Sequence, residues 1–122
     1  MKEKGDKGEL IASDFLTKQG YHILEKNYQT KFGELDLIGM EGDYLCFIEV
    51  KMRGDGDSGY PYEFVTRSKQ AKMSRVAEAY LMRTKASYRY ARFDVVSILY
   101  SGQEEYEVEL IRDAFEAPQY RF

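Results

Sequence analysis

The sequence predicts an α/β domain in which a mixed β-sheet is flanked by helices, with the element order α-β-β-β-α-β-β. Two segments carry apolar residues at helical spacing, and the other segments carry the alternating or continuous apolar runs of strands. The chain has 122 residues, of which 43% are hydrophobic and only two are proline. This length and composition predict one domain over residues 1–122 with a core of its own, rather than a disordered chain.

The composition excludes several kinds of site. Cys46 and His22 are the only residues of their types, so neither a disulfide framework nor a Cys/His zinc site can form. The first ten residues, MKEKGDKGEL, carry no apolar signal segment, and no apolar run is long enough to span a membrane. We therefore expect a cytoplasmic protein without a membrane partner.

The first helix is predicted over residues 6–19, with a stop at Gly20. Asp6 takes the N-cap position and Glu9 the third helical position, which is the spacing of a capping box. Glu9 lies at the edge of the apolar stripe, and helix logic alone favours a capping role for it over a ligand role. The apolar stripe consists of Leu10, Ile11, Phe15 and Leu16.

The next segment contains three predicted strands. Residues 21–29 form the first, and residues 33–51 form a hairpin of two apolar strands around Gly42 and Asp43. A Gly-Asp dipeptide between apolar runs is typical of a tight hairpin turn. The apolar character of this hairpin places it near the centre of the sheet.

A two-residue turn places four charged side chains on one face, at the open end of this hairpin. Asp36 then lies opposite Glu49, and Glu34 lies opposite Lys51. Opposed carboxylates repel each other, so this arrangement predicts a compensating divalent cation such as Mg²⁺, with Lys51 beside it. Two alternatives remain open. In the first, each of the four residues is an ordinary solvated charge at a strand end. In the second, a three-residue turn beginning at Glu41 puts Asp36 and Glu49 on opposite faces.

The apolar pattern ends after Lys51. Residues 52–61 are predicted to form an exposed, mobile loop, either functional or a plain linker. A second helix follows, capped by Thr66 or Ser68 and running to about Thr84, with an apolar stripe at helical spacing.

Two further strands are predicted after the second helix. Residues 90–100 form an almost continuous apolar run, which is typical of a buried strand. Residues 105–111 alternate apolar residues with glutamate, which indicates a half-exposed strand whose charge protects a sheet edge.

The net charge of −3 hides an uneven distribution. Basic residues dominate residues 51–92, whereas acidic residues dominate residues 101–122. Cations in the first turns of a helix oppose its dipole, but positive side chains beside a helix N-terminus suit a phosphate group. An ordinary solvated helix face is the alternative. The candidate phosphate contacts are Arg53, Arg67, Lys69 and Lys72.

The charged hairpin and its flanking elements resemble the PD-(D/E)XK nuclease superfamily. Asp36 matches the motif aspartate, and Glu49-Val50-Lys51 matches the E-x-K motif. Glu9 matches the helix glutamate of archaeal Holliday-junction resolvases. The resemblance implies a restriction-endonuclease-like fold. It also implies Mg²⁺ or Mn²⁺ held by Asp36, Glu49, Glu9 and the Val50 carbonyl, with Lys51 as the catalytic lysine.

A longer set of residues is similar to the YraN-like family of bacterial proteins, in the same order along nearly the whole chain. This resemblance favours a ligand role over a capping role for Glu9. Leu35 departs from the nuclease motif, which commonly has proline at this position. The matching set consists of Gly8-Glu9 with Ala12, Asn27-Tyr28, residues 33–38, residues 47–51, Lys69, residues 92–96 and residues 113–115.

The resemblance implies Mg²⁺- or Mn²⁺-dependent hydrolysis of DNA phosphodiester bonds, with branched or otherwise structured DNA among the candidate substrates. Resolvase relatives are dimers, which makes a homodimer an expectation by analogy alone. The alternative function is a non-catalytic nucleic-acid-binding adaptor in DNA repair or recombination that keeps the nuclease fold. DNA is favoured over RNA, but no residue distinguishes the two substrates.

Overall fold

The computed structural model describes residues 2–54, 65–85, 90–102 and 105–116. Within these ranges the chain forms two helices and five strands in the predicted order α-β-β-β-α-β-β. The elements are α1 (Lys2–Lys18), β1 (His22–Thr30), β2 (Gly33–Glu41), β3 (Tyr44–Gly54), α2 (Arg67–Thr84), β4 (Tyr90–Tyr100) and β5 (Tyr106–Phe115).

The five strands form one mixed sheet in the order β1-β2-β3-β4-β5. β3 and β4 are parallel, and the other neighbouring pairs are antiparallel. The predicted central position of the hairpin is confirmed, since β3 is the middle strand. β5 lies at an edge, as predicted, and it keeps Glu107 and Glu109 exposed.

Each face of the sheet carries a hydrophobic core beneath one helix. This arrangement explains the almost continuous apolar runs in β3 and β4, which are covered on both sides. Leu35, which strict alternation places with Leu37, packs on the α2 side instead. The α1 side includes Ala12, Leu16, Leu37, Cys46, Ile48, Val96 and Ile98. The α2 side includes Leu35, Ile38, Leu45, Phe47, Met73, Val76, Ala77, Tyr80, Phe93 and Val95.

The hairpin turn predicted at residues 42–43 is confirmed, because Glu41 pairs with Tyr44. The same register continues as far as the pair of Leu37 with Ile48. The three-residue turn that would have shifted the pairing is therefore excluded, and the hairpin has the side-chain alternation that a two-residue turn requires.

The regular ladder stops before the predicted pairs of Asp36 with Glu49 and of Glu34 with Lys51. The physical reason is a side-chain hydrogen bond, in which the Val50 backbone N–H donates to Asp36 Oδ2 at 2.8 Å. In a regular continuation this N–H would donate to the carbonyl of the β2 residue before Asp36. The carboxylate therefore replaces a backbone acceptor, and β2 departs from the regular ladder at this point.

The first helix begins earlier than predicted. α1 starts at Lys2, so Asp6 lies inside the helix and is not its N-cap. The predicted stop is confirmed, because Gly20 adopts a positive φ of 103° and the Tyr21 N–H donates to the Leu16 carbonyl at 2.9 Å. A left-handed residue followed by such a bond is a common end of a helix.

The second helix has the predicted boundaries. Thr66 is the N-cap, and its side chain accepts the Lys69 N–H at 3.2 Å. The final turn ends at Lys85, which has left-handed backbone dihedrals. No helix among the described residues combines the length and the apolar character that a membrane span requires.

Two predicted boundaries need correction. Residues 52–54 are not a loop, because they extend β3 and pair in parallel with residues 98–100 of β4. Residues 55–61 of the predicted loop lie outside the described residues. β5 also runs past its predicted end at residue 111 to Phe115, across a register shift between Phe93 and Val95 of its partner strand.

Candidate active site

Two acidic side chains meet where the β2-β3 ladder ends. Asp36 is turned towards β3 by its bond to the Val50 N–H. Glu49 precedes Val50 on β3 and is only 4% exposed, and a carboxylate is rarely buried to this extent unless it is paired. Strand alternation places Glu49 on the same face as Phe47, which packs in the α2-side core. Both carboxylates therefore lie on the α2 face of the sheet.

These carboxylates line a cavity of about 370 Å³ between the sheet and the first turns of α2. The sheet contributes one set of lining residues, and the start of α2 contributes another. The sheet residues are Gly33, Glu34, Asp36 and Glu49, and the residues at the start of α2 are Thr66, Ser68, Lys69, Lys72 and Met73. The cavity thus joins three carboxylates to two lysines and to the positive end of a helix dipole.

The environment of Asp36 disfavours its charged form. Burial raises its pKa to about 7, and the neighbouring Glu49 carboxylate contributes to this increase by repulsion. The Val50 N–H opposes the increase by donating to the charged form, and Lys69 opposes it by attraction. Full ionisation of both Asp36 and Glu49 is therefore unfavourable in this site at neutral pH.

Lys69 supplies the positive charge nearest to this pair. Its Nζ forms an ion pair with Glu49 Oε2, and the Lys69 side chain is 44% exposed while that of Glu49 is 6% exposed. Burial alone lowers the pKa of Lys69, but the hydrogen bond to Glu49 and the attraction of the carboxylates outweigh it, and the net pKa is raised. Lys69 is therefore a cation at neutral pH, and it is not suited to act as a general base.

The donor set of the cavity fits a Mg²⁺-type ion. Among the described residues there is no cluster of three or more His, Cys, Asp or Glu side chains arranged to hold a metal. Mg²⁺ does not require one, because it commonly binds through one or two carboxylates and keeps several waters or phosphate oxygens. Asp36 and Glu49 provide two such carboxylates, and their excess negative charge is what a cation would compensate.

The other predicted ligands, and Lys51 as the predicted catalytic lysine, lie outside the cavity lining. Glu9 is on α1, on the opposite face of the sheet from α2. Its neighbour Gly8 packs near Val50 and Met52, and a Cβ atom added at Gly8 would lie 3.7 Å from Val50 Cγ1. The start of α1 therefore lies against β3 directly after Glu49. Lys51 follows Glu49 by two residues, and alternation places it on the same face.

The four predicted phosphate contacts lie in different parts of the structure. Lys69 and Lys72 line the cavity, and Arg67 is exposed at the first position of α2. Arg53 is half-buried on β3, and its Nε donates to Ser97 Oγ at 3.2 Å. Lys69 and Lys72 therefore lie beside the carboxylates, whereas Arg53 is hydrogen-bonded to β4.

Sequence reasoning missed two features of the site. It did not identify Lys69 as the ion-pair partner of Glu49, although the excess of cations in the first turns of α2 was a signal. It paired Glu34 with Lys51, whereas Glu34 Oε2 accepts from Gln29 Nε2 at 2.8 Å. That contact follows from the β1-β2 register, in which Gln29 lies opposite Glu34.

Comparison with known proteins identifies the family. The model of the Uncharacterised protein family UPF0102 matches residues 8–98, which include Asp36, Glu49 and both lysines of the cavity. The chain belongs to this family. The resemblance to the YraN-like family is thereby confirmed at the level of the family.

Several UPF0102 proteins align with most of the chain. A relative from Caldicellulosiruptor saccharolyticus is 43% identical over 115 residues, covering 93% of this chain and 98% of the relative. One from Dictyoglomus thermophilum is 46% identical over 100 residues, covering 82% and 85%. One from Clostridium tetani is 39% identical over 116 residues, covering 94% and 95%. The similarity to UPF0102 therefore includes the strands and the helix that form the cavity.

Replacing Lys69 by Met is expected to destabilise this UPF0102 member in the absence of divalent cations. The substitution keeps the apolar stem but leaves Glu49 buried without its cation. We expect a loss of about 1–3 kcal/mol, less than for a fully buried pair because Lys69 is half exposed. Mg²⁺ or Mn²⁺ should restore much of this loss. Chemical denaturation in EDTA and at increasing metal concentrations measures both effects.

Lys72→Met is the matched control, because Lys72 lines the same cavity without an ion pair to Glu49 among the described contacts. It should change stability by less than about 0.5 kcal/mol. If Lys69→Met is as stable as the wild type in EDTA, Lys69 does not hold the Glu49 charge.

Proposed function

We propose that the protein is a metal-dependent nuclease that hydrolyses phosphodiester bonds of DNA. The observation that carries this proposal is the pair of the partly buried Asp36 and the buried Glu49 in a cavity shared with Lys69 and Lys72. Carboxylates suit a divalent cation, and lysines beside a helix N-terminus suit a phosphate. Reactions at phosphate esters need these two kinds of group in the same cavity.

The architecture supports the same proposal. The motif aspartate lies on β2, and the E-x-K motif lies on the central strand β3, which pairs in parallel with β4 after the α2 crossover. This order agrees with the restriction-endonuclease-like fold that the resemblance to PD-(D/E)XK nucleases implies. Likeness of fold is only analogy for activity, so the proposal depends on the site itself.

The carboxylates would hold Mg²⁺ or Mn²⁺. Asp36 and Glu49 are the proposed direct ligands, the Val50 carbonyl is a further one, and Glu9 is a direct or water-mediated one. The chemistry that a divalent cation supplies in such a site is polarisation of the phosphate and a lower pKa for bound water. The bond from the Val50 N–H fixes the orientation of Asp36 before any ligand arrives, so little reorganisation is needed.

The lysines have separate proposed roles. Lys51 orients the attacking water or stabilises the charge that develops on the phosphate. Lys69 neutralises Glu49 in the free protein and, with Lys72, attracts the DNA backbone. Arg67 and Arg53 are proposed as additional backbone contacts, which position a duplex without reading its sequence.

The test is cleavage of labelled DNA in Mg²⁺ or Mn²⁺. The panel contains linear duplex, single strand, flap and four-way junction, together with an RNA hairpin. We expect cutting of at least one DNA member, and Glu49→Gln should reduce its rate at least about a thousandfold because a metal ligand and a charge are lost together. Glu107→Gln, an exposed carboxylate on β5, is the matched control and should cut like the wild type.

A second comparison separates catalysis from binding. Lys51→Ala should remove most of the cleavage while leaving DNA affinity nearly unchanged, whereas Lys72→Ala should weaken binding and reduce its salt dependence. Folded wild type that binds DNA in a salt-dependent way but cuts no member of the panel would overturn the nuclease proposal. That outcome would favour the adaptor function.

A further inference from the structure

We propose that Phe32 stacks on an unpaired base of the DNA substrate, so that the site prefers a strand with an unstacked nucleotide beside the bond that is cut. This inference rests on the proposed function, because it names the substrate class of the same cavity. It concerns a residue that the nuclease motif does not include.

Phe32 lies at the tip of the β1-β2 turn. The turn consists of Lys31 and Phe32 between the paired residues Thr30 and Gly33. Thr30 Oγ1 accepts the Phe32 N–H at 3.0 Å and donates to the Gly33 carbonyl at 3.3 Å. The backbone that presents the ring is therefore held by its own hydrogen bonds. The Phe32 residue is 38% exposed, although burial would stabilise a side chain of this size.

Two cations lie close to this ring. Lys31 Nζ is 5.3 Å from the ring centroid, and Arg75 Cζ of α2 is 5.8 Å from it. Aromatic rings with neighbouring cations are the usual elements of single-strand binding, because the ring stacks on a base while the cations attract the phosphates.

The turn is continuous with the candidate active site. Gly33, directly after Phe32, lines the cavity, and a Cβ at Gly33 would lie 4.0 Å from Lys72 Cβ. On α2, the cations Lys69, Lys72 and Arg75 follow one another at intervals of three residues, so each neighbours the next on the helix surface. The row spans about 9 Å along the helix axis. This length corresponds to roughly two or three stacked nucleotides at about 3.4 Å each.

Exposure alone does not distinguish Phe32. Leu10 and Met82 are 69% and 71% exposed, and single apolar residues on a surface are common. Neither of them is next in the chain to a residue that lines the cavity, whereas Phe32 directly precedes the lining residue Gly33. What distinguishes Phe32 is its pre-organised turn, its two cations and its position at the far end of the basic row that starts beside Glu49.

The experiment measures binding without cleavage. All variants are made in the Asp36→Asn background, which the proposed function makes inactive. Two DNA hairpins of the same sequence are compared, one blunt and one with an unpaired 3′ end that carries 2-aminopurine. We expect the background protein to prefer the unpaired end about tenfold and to change the 2-aminopurine fluorescence on binding.

Substitutions of Phe32 then test the role of its ring. Phe32→Ala and Phe32→Leu should remove the preference and the fluorescence change, because neither has an aromatic face. Phe32→Trp should retain both. Met82→Ala is the matched control for loss of an exposed apolar side chain and should behave like the background protein. The same preference in Phe32→Leu as in the background would overturn the inference.

The two proposals can fail separately. If Asp36-dependent cleavage is observed but the Phe32 variants keep the full preference, the inference fails and the nuclease stands. If no DNA is cut but the preference depends on the Phe32 ring, the stacking role stands and the nuclease fails.

Discussion

Asp36→Asn is expected to make the metal-free protein more stable at pH 8 while it abolishes metal-dependent cleavage. The carboxylate is partly buried beside Glu49, and its pKa is raised to about 7. At pH 8 Asp36 of the wild type is therefore mostly ionised, although its burial and the charge of Glu49 disfavour the ionised form. Asn keeps an oxygen that can accept the Val50 N–H, and its amide can donate to Glu49. The substitution removes a repulsion and creates a hydrogen bond.

The pH dependence of this effect has a definite sign. The pKa of Asp36 is about 7 in the folded protein, compared with 3.8 as its ordinary value. Between these two pH values the folded protein holds a proton that the unfolded chain has released. Stability from this proton is complete below about pH 4 and is lost as the pH rises through about 7. The loss is on the order of 2–4 kcal/mol.

The measurement is chemical denaturation in EDTA at several pH values between 4 and 9. Wild-type stability should fall over this range, and Asp36→Asn should fall much less, so that the variant is more stable by about 2 kcal/mol at pH 8. Adding Mg²⁺ or Mn²⁺ should stabilise the wild type and leave Asp36→Asn nearly unchanged, because a ligand that binds only the folded state raises its stability.

Asp14→Asn is the control for charge removal alone. Asp14 is a 67% exposed side chain on α1 that pairs with Lys18, so its loss should change stability little. A lower stability of Asp36→Asn at pH 8, or an unchanged response to metal, would show that Asp36 is not a strained metal ligand.

The meeting of Asp36 with Glu49 could be predicted from the sequence because it depends on local rules. The Gly-Asp turn sets the register, and the register sets which side chains share a face. The same rules predicted that Glu34 pairs with Lys51, and this prediction was wrong. It assumed that the ladder continues, whereas the Asp36 side chain takes a backbone N–H and ends it. A side chain that competes with the backbone for a hydrogen bond produces no repeating sequence pattern from which the contact could be predicted.

The role of Lys69 illustrates a second limit. Helical spacing and capping gave the bounds of α2 and the cluster of cations in its first turns. They did not indicate which cation reaches Glu49, because that contact depends on how α2 lies across the sheet. The start of α1 shows the same limit at a helix end. Asp6 had the features of a cap, but the helix continues to Lys2.

The buried ionic cluster around Asp94 could not be predicted from the apolar pattern of β4. Asp94 is fully buried, yet it stands in the run YARFDVVSILY, which indicates only a buried strand. The residues that surround it come from three distant parts of the chain. Tyr21 follows α1, Glu41 ends β2, and Arg112 lies on β5. Contacts between such distant segments become visible only when the topology of the sheet is known.

Replacing Asp94 by Ala is expected to have the largest effect on stability. Asp94 Oδ2 accepts from Tyr21 Oη at 2.7 Å, and Oδ1 accepts from Arg92 Nε and from the Asp113 N–H, each at 2.9 Å. The Arg92 side chain is only 10% exposed, so the variant leaves a buried cation with less compensation. Removal of one partner from such a pair costs about 3–5 kcal/mol. Urea denaturation of the metal-free protein measures this loss.

The other contacts of Arg92 moderate the prediction. Arg92 also pairs with Glu41, which accepts two bonds from Arg112 at 2.8 and 2.7 Å. The hydrogen bonds from Arg112 and Arg92 lower the pKa of Glu41 to about 2, and Arg112 makes the larger contribution. Glu41 therefore still compensates part of the Arg92 charge when Asp94 is lost. A loss below about 1 kcal/mol would mean that Glu41 alone is sufficient for Arg92.

A double substitution separates charge pairing from space filling. Arg92→Met with Asp94→Leu replaces the pair by apolar side chains of similar size, and such replacements of buried ion pairs are often neutral or stabilising. We expect the double variant to be more stable than Asp94→Ala, although Tyr21 and the Asp113 N–H lose their acceptor. Cleavage of DNA by this variant should be retained, because Asp94, although it pairs with Ile48 beside Glu49, faces the α1 side of the sheet with Tyr21, whereas Glu49 faces the cavity beside α2. If the double variant is as unstable as Asp94→Ala, the cluster acts through its hydrogen bonds to Tyr21 and Asp113 rather than through the charge of Arg92.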